Sequence, residues 1–79
     1  MNIVWTTEAC PYCDKAKALL DIRGIDYETR LVDNKQWTIN DLKEAVPAAR
    51  SYPQVILNNK LIGGCDDLEA HLILQDAVL

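Results

Sequence analysis

A chain of 79 residues with net charge −4 and an isoelectric point near 4.7 has room for one domain, residues 1–79, and only a modest core. The acidic balance argues against a nucleic-acid binder, which needs a basic face, and no apolar run approaches the roughly 20 residues of a membrane span. Met1-Asn2-Ile3-Val4-Trp5 carries no basic leader, so a cytoplasmic location is expected; in that reducing setting three cysteines are a redox pair plus one further thiol, not a disulfide scaffold.

Ile3-Val4-Trp5-Thr6 is a short β-rich run and predicts a central strand, with Thr7-Glu8-Ala9 as the loop that follows. Cys10-Pro11-Tyr12-Cys13 then heads a helical pattern. Pro11 suits the first helical position, where it has no N–H to lose. Ala16, Leu19, Leu20 and Arg23 follow at helical spacing, their apolar members facing the core, and Gly24 is the stop signal. Ile25 to Val32 predicts a second strand with Tyr27 and Leu31 on one side. Asp33-Asn34-Lys35-Gln36 is polar and loop-like. Thr38 with Asp41 three residues on forms a capping box with Asp in place of the usual Glu. Ile39, Leu42, Ala45 and Val46 make the apolar stripe of a second helix, which Pro47 ends or kinks.

Pro53-Gln54-Val55-Ile56-Leu57 predicts a third strand, Asn58-Asn59 a hairpin turn, and Lys60-Leu61-Ile62 the return strand. Gly63-Gly64 breaks the chain. Asp66-Asp67 opens a last helix carrying Leu68, Leu72 and Val78, with an acidic first turn that suits the helix dipole. The order β-α-β-α-β-β-α describes an α/β fold: a four-stranded mixed sheet, parallel across the βαβ unit and antiparallel across the hairpin, with three helices. A CxxC beside a βαβ pattern is a thioredoxin-like signature.

The chemistry of the CxxC follows from its place. Unpaired N–H groups and partial positive charge at a helix start favour a thiolate, the form that attacks disulfides, and a second thiol two residues on is within reach to finish the exchange. Cys10, at the N-cap, is expected to be more exposed than Cys13. The competing reading, half of a zinc site, lacks a second ligand pair, since the lone His71 sits late in the last helix as a surface or half-buried residue. No metal is expected. Trp5 and Trp37 are read as packing groups, and Lys15 and Lys17 either as solvated or as a small positive site beside the CxxC.

Cys10-Pro11-Tyr12-Cys13, Tyr52-Pro53-Gln54-Val55 and Gly63-Gly64-Cys65-Asp66-Asp67-Leu68 together resemble the glutaredoxin family, over nearly the whole chain. The resemblance implies a glutathione-dependent thiol–disulfide oxidoreductase that reduces protein disulfides and glutathione mixed disulfides, with glutathione as reductant and co-substrate. Cys10 matches the nucleophile and Cys13 the resolving thiol. Pro53 matches a cis-proline that leaves the backbone of Tyr52 to pair with glutathione like an added strand. Gly64, Cys65 and Asp66 match the segment that holds the γ-glutamyl end, its carboxylate on backbone N–H groups and its ammonium facing Asp66. Tyr12, between the thiols, faces substrate, and Cys65 is a small residue near the glutathione end without redox duty; a separately oxidised regulatory thiol is the minority reading.

Two positions depart from the family pattern. Ser51-Tyr52-Pro53 stands where a Thr-Val-Pro run is usual, putting a bulkier side chain in the groove wall. Thr7 stands where many members carry Lys or Arg, leaving Lys15, Lys35, Gln36 or Arg50 to supply that charge. Implied partners are glutathione and disulfide-bonded or glutathionylated proteins, ribonucleotide reductase among them by family analogy; a monomer is expected. The alternatives are a glutathione-ligated [2Fe-2S] carrier, disfavoured by Pro11, and a thioredoxin-reductase-dependent redoxin, disfavoured by the Gly63–Asp67 segment.

Overall fold

The computed structural model describes residues 1–77. Its elements run β1 (Ile3–Thr6), α1 (Pro11–Ile22), β2 (Glu28–Leu31), α2 (Ile39–Ala45), β3 (Gln54–Leu57), β4 (Lys60–Gly63) and α3 (Cys65–Ala77). The four strands form one sheet in the order β2-β1-β3-β4. β1 runs parallel to β2 and antiparallel to β3, and β3 and β4 form the hairpin. Every residue of β1 is buried, because strands flank it and helices cover it. This is the mixed sheet with three helices that the element order implied.

Alternation along the strands divides the core in two. Val4, Val55 and Leu57 pack with Ala16 and Leu20 of α1 and with Cys65, Leu68 and Leu72 of α3. Ile3 and Trp5 point the other way, into a second cluster with Val32, Leu42, Val46 and Ala49. α1 and α3 therefore share one face of the sheet, which brings the start of α1 and the start of α3 into one neighbourhood.

The helix boundaries have local causes. Thr38 Oγ1 accepts from the Asp41 N–H at 3.1 Å while Asp41 returns the bond to the Thr38 N–H at 2.9 Å, the reciprocal capping box read from the sequence. At the end of α1, Gly24 takes φ +67°, its N–H donates to the Asp21 carbonyl, and the Ile25 N–H donates to the Leu20 carbonyl at 3.0 Å. That is a Schellman ending, and Ile25 packs beside Leu20 to seal it. Asn58 and Asn59 both take positive φ, as a tight two-residue hairpin turn requires.

Several boundaries differ from the sequence reading. The second strand starts at Glu28, not Ile25, because the helix ending consumes Ile25 and the Asp26 carbonyl is taken by the Asn2 side chain. It ends at Leu31; Val32 donates its N–H to the Thr6 carbonyl at 2.9 Å and forms an isolated bridge with Trp37. The third strand begins at Gln54, one residue after Pro53, whose nitrogen has no proton to donate. The return strand runs on through Gly63, with a register shift that leaves Ile62 as the extra residue of a bulge. Ile39 and Ala45 of the α2 stripe are exposed; a helix of seven residues turns too little surface to the sheet to bury both. Arg23, at the end of the α1 series, is exposed and pairs with Asp76. The last helix opens at Cys65, one residue before Asp66. Val78, read as part of its stripe, lies outside the described residues.

Candidate redox site

Cys10 is the N-cap of α1, with an extended backbone (φ −116°, ψ 95°), and Pro11 holds the first turn. The Cys13 N–H donates to Cys10 Sγ at 3.1 Å, so the first helical turn points a backbone donor at the first sulfur. A sulfur at this position also meets the positive end of the helix dipole. The two cysteines are joined as a disulfide, with Cα atoms 5.2 Å apart, which is the oxidised form of a dithiol pair. Cys10 is half-buried and Cys13 is 1% exposed, the order of accessibility that an outer nucleophile and an inner partner need.

Beside this turn lies a groove of about 420 Å³, lined by Tyr12 at one side, by Ser51, Tyr52, Pro53 and Gln54 at the entry to β3, and by Gly63 to Asp67 at the start of α3. Six residues singled out from the sequence, Tyr12, Tyr52, Pro53, Gly64, Cys65 and Asp66, meet here; Cys10 and Cys13 flank Tyr12 and do not themselves line it. Tyr12 is 62% exposed and lines the groove. The Tyr52–Pro53 peptide bond is cis, and Pro53 is fully buried. The Tyr52 ring is half-buried and rests against the second core cluster, so its bulk is spent partly inward.

The Gly63–Asp67 end is built by an arrangement that sequence reasoning missed. Asp67 Oδ2 accepts from the Gly64 N–H at 3.1 Å, the return half of a capping box across the helix start. Gly63 takes φ +117°, and a Cβ there would stand 2.4 Å from Asp67 Oδ2, so the carboxylate and a side chain at 63 exclude each other. The signal was available: Asp67 sits three residues after Gly64. Ser51 and Gln54 were also missed; the Gln54 side-chain amide donates to the Ser51 carbonyl at 2.9 Å and braces the loop, a contact that spacing alone does not disclose. In the first turn of α3 the N–H groups of Cys65 and Asp66 have no carbonyl of their own helix to bond.

Cys65 has its thiol in the core, and burial pushes its pKa up against the lowering pull of Lys15. The small positive site considered for Lys15 and Lys17 is instead two ion pairs. Lys15 meets Glu69 at 3.1 Å, a bond that raises the pKa of the ammonium, and Lys17 meets Asp14 at 3.6 Å. Among the described residues no Lys or Arg lines the groove itself; of the four candidates for the charge that Thr7 lacks, Arg50 comes nearest, lining with Ser51 and Tyr52 the depression that adjoins it.

A glutaredoxin family model matches residues 2–62. Glutaredoxin 1 of Rickettsia bellii is 44% identical over 69 residues, covering 84% of this chain and 70% of the relative. Glutaredoxin 3 of Escherichia coli is 38% identical over 71 residues, covering 85% of this chain and 80% of the relative. The chain belongs to the glutaredoxin family. Among solved structures, a buckwheat glutaredoxin–glutathione complex superposes with a TM-score of 0.70 at 30% identity, over 89% of this chain and 66% of that one. The fold is thioredoxin-like, as the motif beside the βαβ unit implied. As a glutaredoxin the chain is a thiol–disulfide oxidoreductase with a redox-active cysteine pair.

Proposed function

We propose that this glutaredoxin reduces protein disulfides and glutathione mixed disulfides at Cys10, with glutathione as the electron donor. The observation that carries the proposal is the groove beside the CPYC turn: it gathers Tyr12, Tyr52, Pro53, Gly64, Cys65 and Asp66 from three separate stretches of the chain. In this reading the Tyr52 backbone pairs with the tripeptide as an added strand would. The N–H groups of Cys65 and Asp66 at the start of α3 receive the γ-glutamyl carboxylate, and Asp66 faces the ammonium. A buckwheat relative that carries glutathione supports the choice of ligand.

The chemistry balances in two routes. On a mixed disulfide, the Cys10 thiolate attacks the glutathione sulfur, the protein thiolate leaves and takes a proton, and Cys10 carries the glutathione. A second glutathione thiolate attacks that sulfur, giving glutathione disulfide and the Cys10 thiolate. On a protein disulfide, Cys10 forms a mixed disulfide with the client; Cys13 then attacks Cys10 Sγ and releases the client dithiol. That leaves the Cys10–Cys13 bond seen here, which two glutathione molecules reduce. The pool that recharges it lies close in potential to this class of protein, so the exchange runs both ways. Disulfide-bonded and glutathionylated proteins are the proposed clients, and the cytoplasm the proposed setting.

The test is a coupled assay with glutathione, glutathione reductase and a small mixed disulfide. Wild type turns over and Cys10→Ser does not. Activity that survives in Cys10→Ser assigns the nucleophile elsewhere.

A further inference from the structure

A second depression, of about 250 Å³, adjoins the groove and shares two of its residues, Ser51 and Tyr52. Its floor is apolar: Leu42 and Ala49 are buried and the Tyr52 ring is half-buried. Ile39 also lines it, an aliphatic side chain left 53% exposed. Lys43 and Arg50 complete the lining. Both are exposed, and among the described residues neither makes an ion pair; Lys43 donates to the Ala49 carbonyl. The spacing of α2 sorts its charge. Ile39, Leu42 and Lys43, at i, i+3 and i+4, line this depression, whereas Asp41, Glu44 and Ala45, at the same offsets, line a different one beside Trp37. The protein as a whole carries −4, and Asp66 and Asp67 stand on the α3 side of the groove. The Ser51 side opens instead onto apolar surface flanked by two cations.

We propose that this depression docks the protein client: it takes the residues that follow the client's reactive cysteine, and it fits an apolar side chain with a carboxylate next to it. The proposal rests on the disulfide-reductase reading above and names the client segment that reading leaves open. With the γ-glutamyl end of glutathione at Gly64, Cys65 and Asp66, the tripeptide chain runs from there past Tyr52 toward Ser51. A client strand of the same polarity, its cysteine in the place of the glutathione cysteine, sends its next residues over Tyr52 and Ser51 into the depression. An extended chain advances roughly 3.3 Å per residue, so the first residue after the cysteine crosses the shared boundary and the second and third lie over the depression. An aliphatic side chain there covers Ile39 and Leu42, and an acidic one meets Lys43 and Arg50.

The experiment is a single turnover without glutathione. Reduced wild-type protein is mixed with the symmetrical disulfide of a short peptide blocked at both ends; the Cys10 and Cys13 thiols become a disulfide as two peptide thiols are released. The peptides carry Cys-Gly-Leu-Glu, Cys-Gly-Leu-Lys or Cys-Gly-Ser-Glu. Each rate constant is divided by that of dithiothreitol on the same peptide, which removes differences in intrinsic thiol reactivity. The Leu-Glu peptide is expected to react roughly fivefold faster than Leu-Lys at low salt, a gap that narrows at high salt, and roughly threefold faster than Ser-Glu. The net charge of −4 alone predicts the opposite order for the charged pair. Arg50→Glu is expected to cancel or reverse the preference for Glu over Lys, and Ile39→Ser to cancel that for Leu over Ser, each read as a ratio between peptides on one protein. A wild type that reduces the Leu-Lys peptide as fast as Leu-Glu, or Ser-Glu as fast as Leu-Glu, overturns the proposal. So does an Arg50→Glu variant, shown folded by circular dichroism, that keeps the wild-type ratio. Reduction of none of the three peptides, with a small glutathione mixed disulfide still turned over in the coupled assay, defeats the protein-disulfide reading beneath it.

Discussion

At the scale of single residues, three cysteines share the chain and occupy three environments. Cys10 caps a helix and receives a backbone N–H; Cys13 is enclosed one turn later; Cys65 is packed among Leu68, Leu72 and Leu20. Their chemistry divides accordingly. Cys13→Ser is expected to keep most turnover of a small glutathione mixed disulfide and to lose about tenfold or more on a protein disulfide, which needs the second thiol to resolve it. Equal activity on both substrates would remove Cys13 from the exchange. For Cys65 the direction of its pKa has two consequences. Its thiol is alkylated last in the reduced native protein, as mass-mapped iodoacetamide labelling at neutral pH can show. The sign for stability also follows. A thiol held protonated by burial ionises more readily in the unfolded chain, so its contribution is intact below the ordinary cysteine pKa and fades as the pH rises through the shifted one. Denaturant titrations from neutral to alkaline pH should show a decline in stability that is shallower in Cys65→Ala. Labelling of Cys65 ahead of Cys10 would contradict its placement in the core.

At the scale of elements, what was legible depended on how local each signal is. The Thr38–Asp41 box was readable because all its parts lie within four residues, and Thr38→Ala should destabilise the fold by about 1 kcal/mol in urea unfolding, reflecting the lost N-cap. A variant as stable as wild type would mean that α2 holds without its cap. The stop at Gly24 was equally local. Its aftermath was not: the β-branched Ile25 resembles a strand residue, and only the bond back to Leu20 shows that it closes a helix. Arg30 was invisible in its role. Strand pairing sets it opposite Trp5, and the loop before α2 brings Trp37 over it, 4.3 Å from guanidinium to ring centre, so that two tryptophans read as packing groups also clasp a cation. No sequence period shows that register. Asp67 falls between these cases: its offset from Gly64 is local, but its consequence for Gly63 needs the bulge that lifts φ to +117°.

At the scale of the whole molecule, the site is a product of topology. The parallel β1–α1–β2 unit sets the CPYC turn at the end of a fully buried central strand, and the hairpin returns the chain so that α3 begins beside it. Packing α1 and α3 on one face of the sheet joins two helix starts, one bearing a sulfur and the other backbone donors. The motifs were legible in the chain because each carries its own local chemistry, and the order of elements made their meeting derivable. The charge of the groove was not legible. Lys15 looked available from its position after the CxxC, and only the packing of α1 on α3 reveals that Glu69 holds it.

The most direct measurement is to trap the half-reaction. Cys13→Ser, reduced and then exposed to glutathione disulfide, is digested and mapped by mass spectrometry, with amide chemical shifts recorded alongside. The expected result is one glutathione on Cys10, none on Cys65, and shifts concentrated at Tyr12, Tyr52, Gly64, Cys65 and Asp66. Glutathione on Cys65 instead, or an adduct on Cys10 that leaves the amides of 64–66 unmoved, would contradict a sulfur and a peptide groove acting as one site.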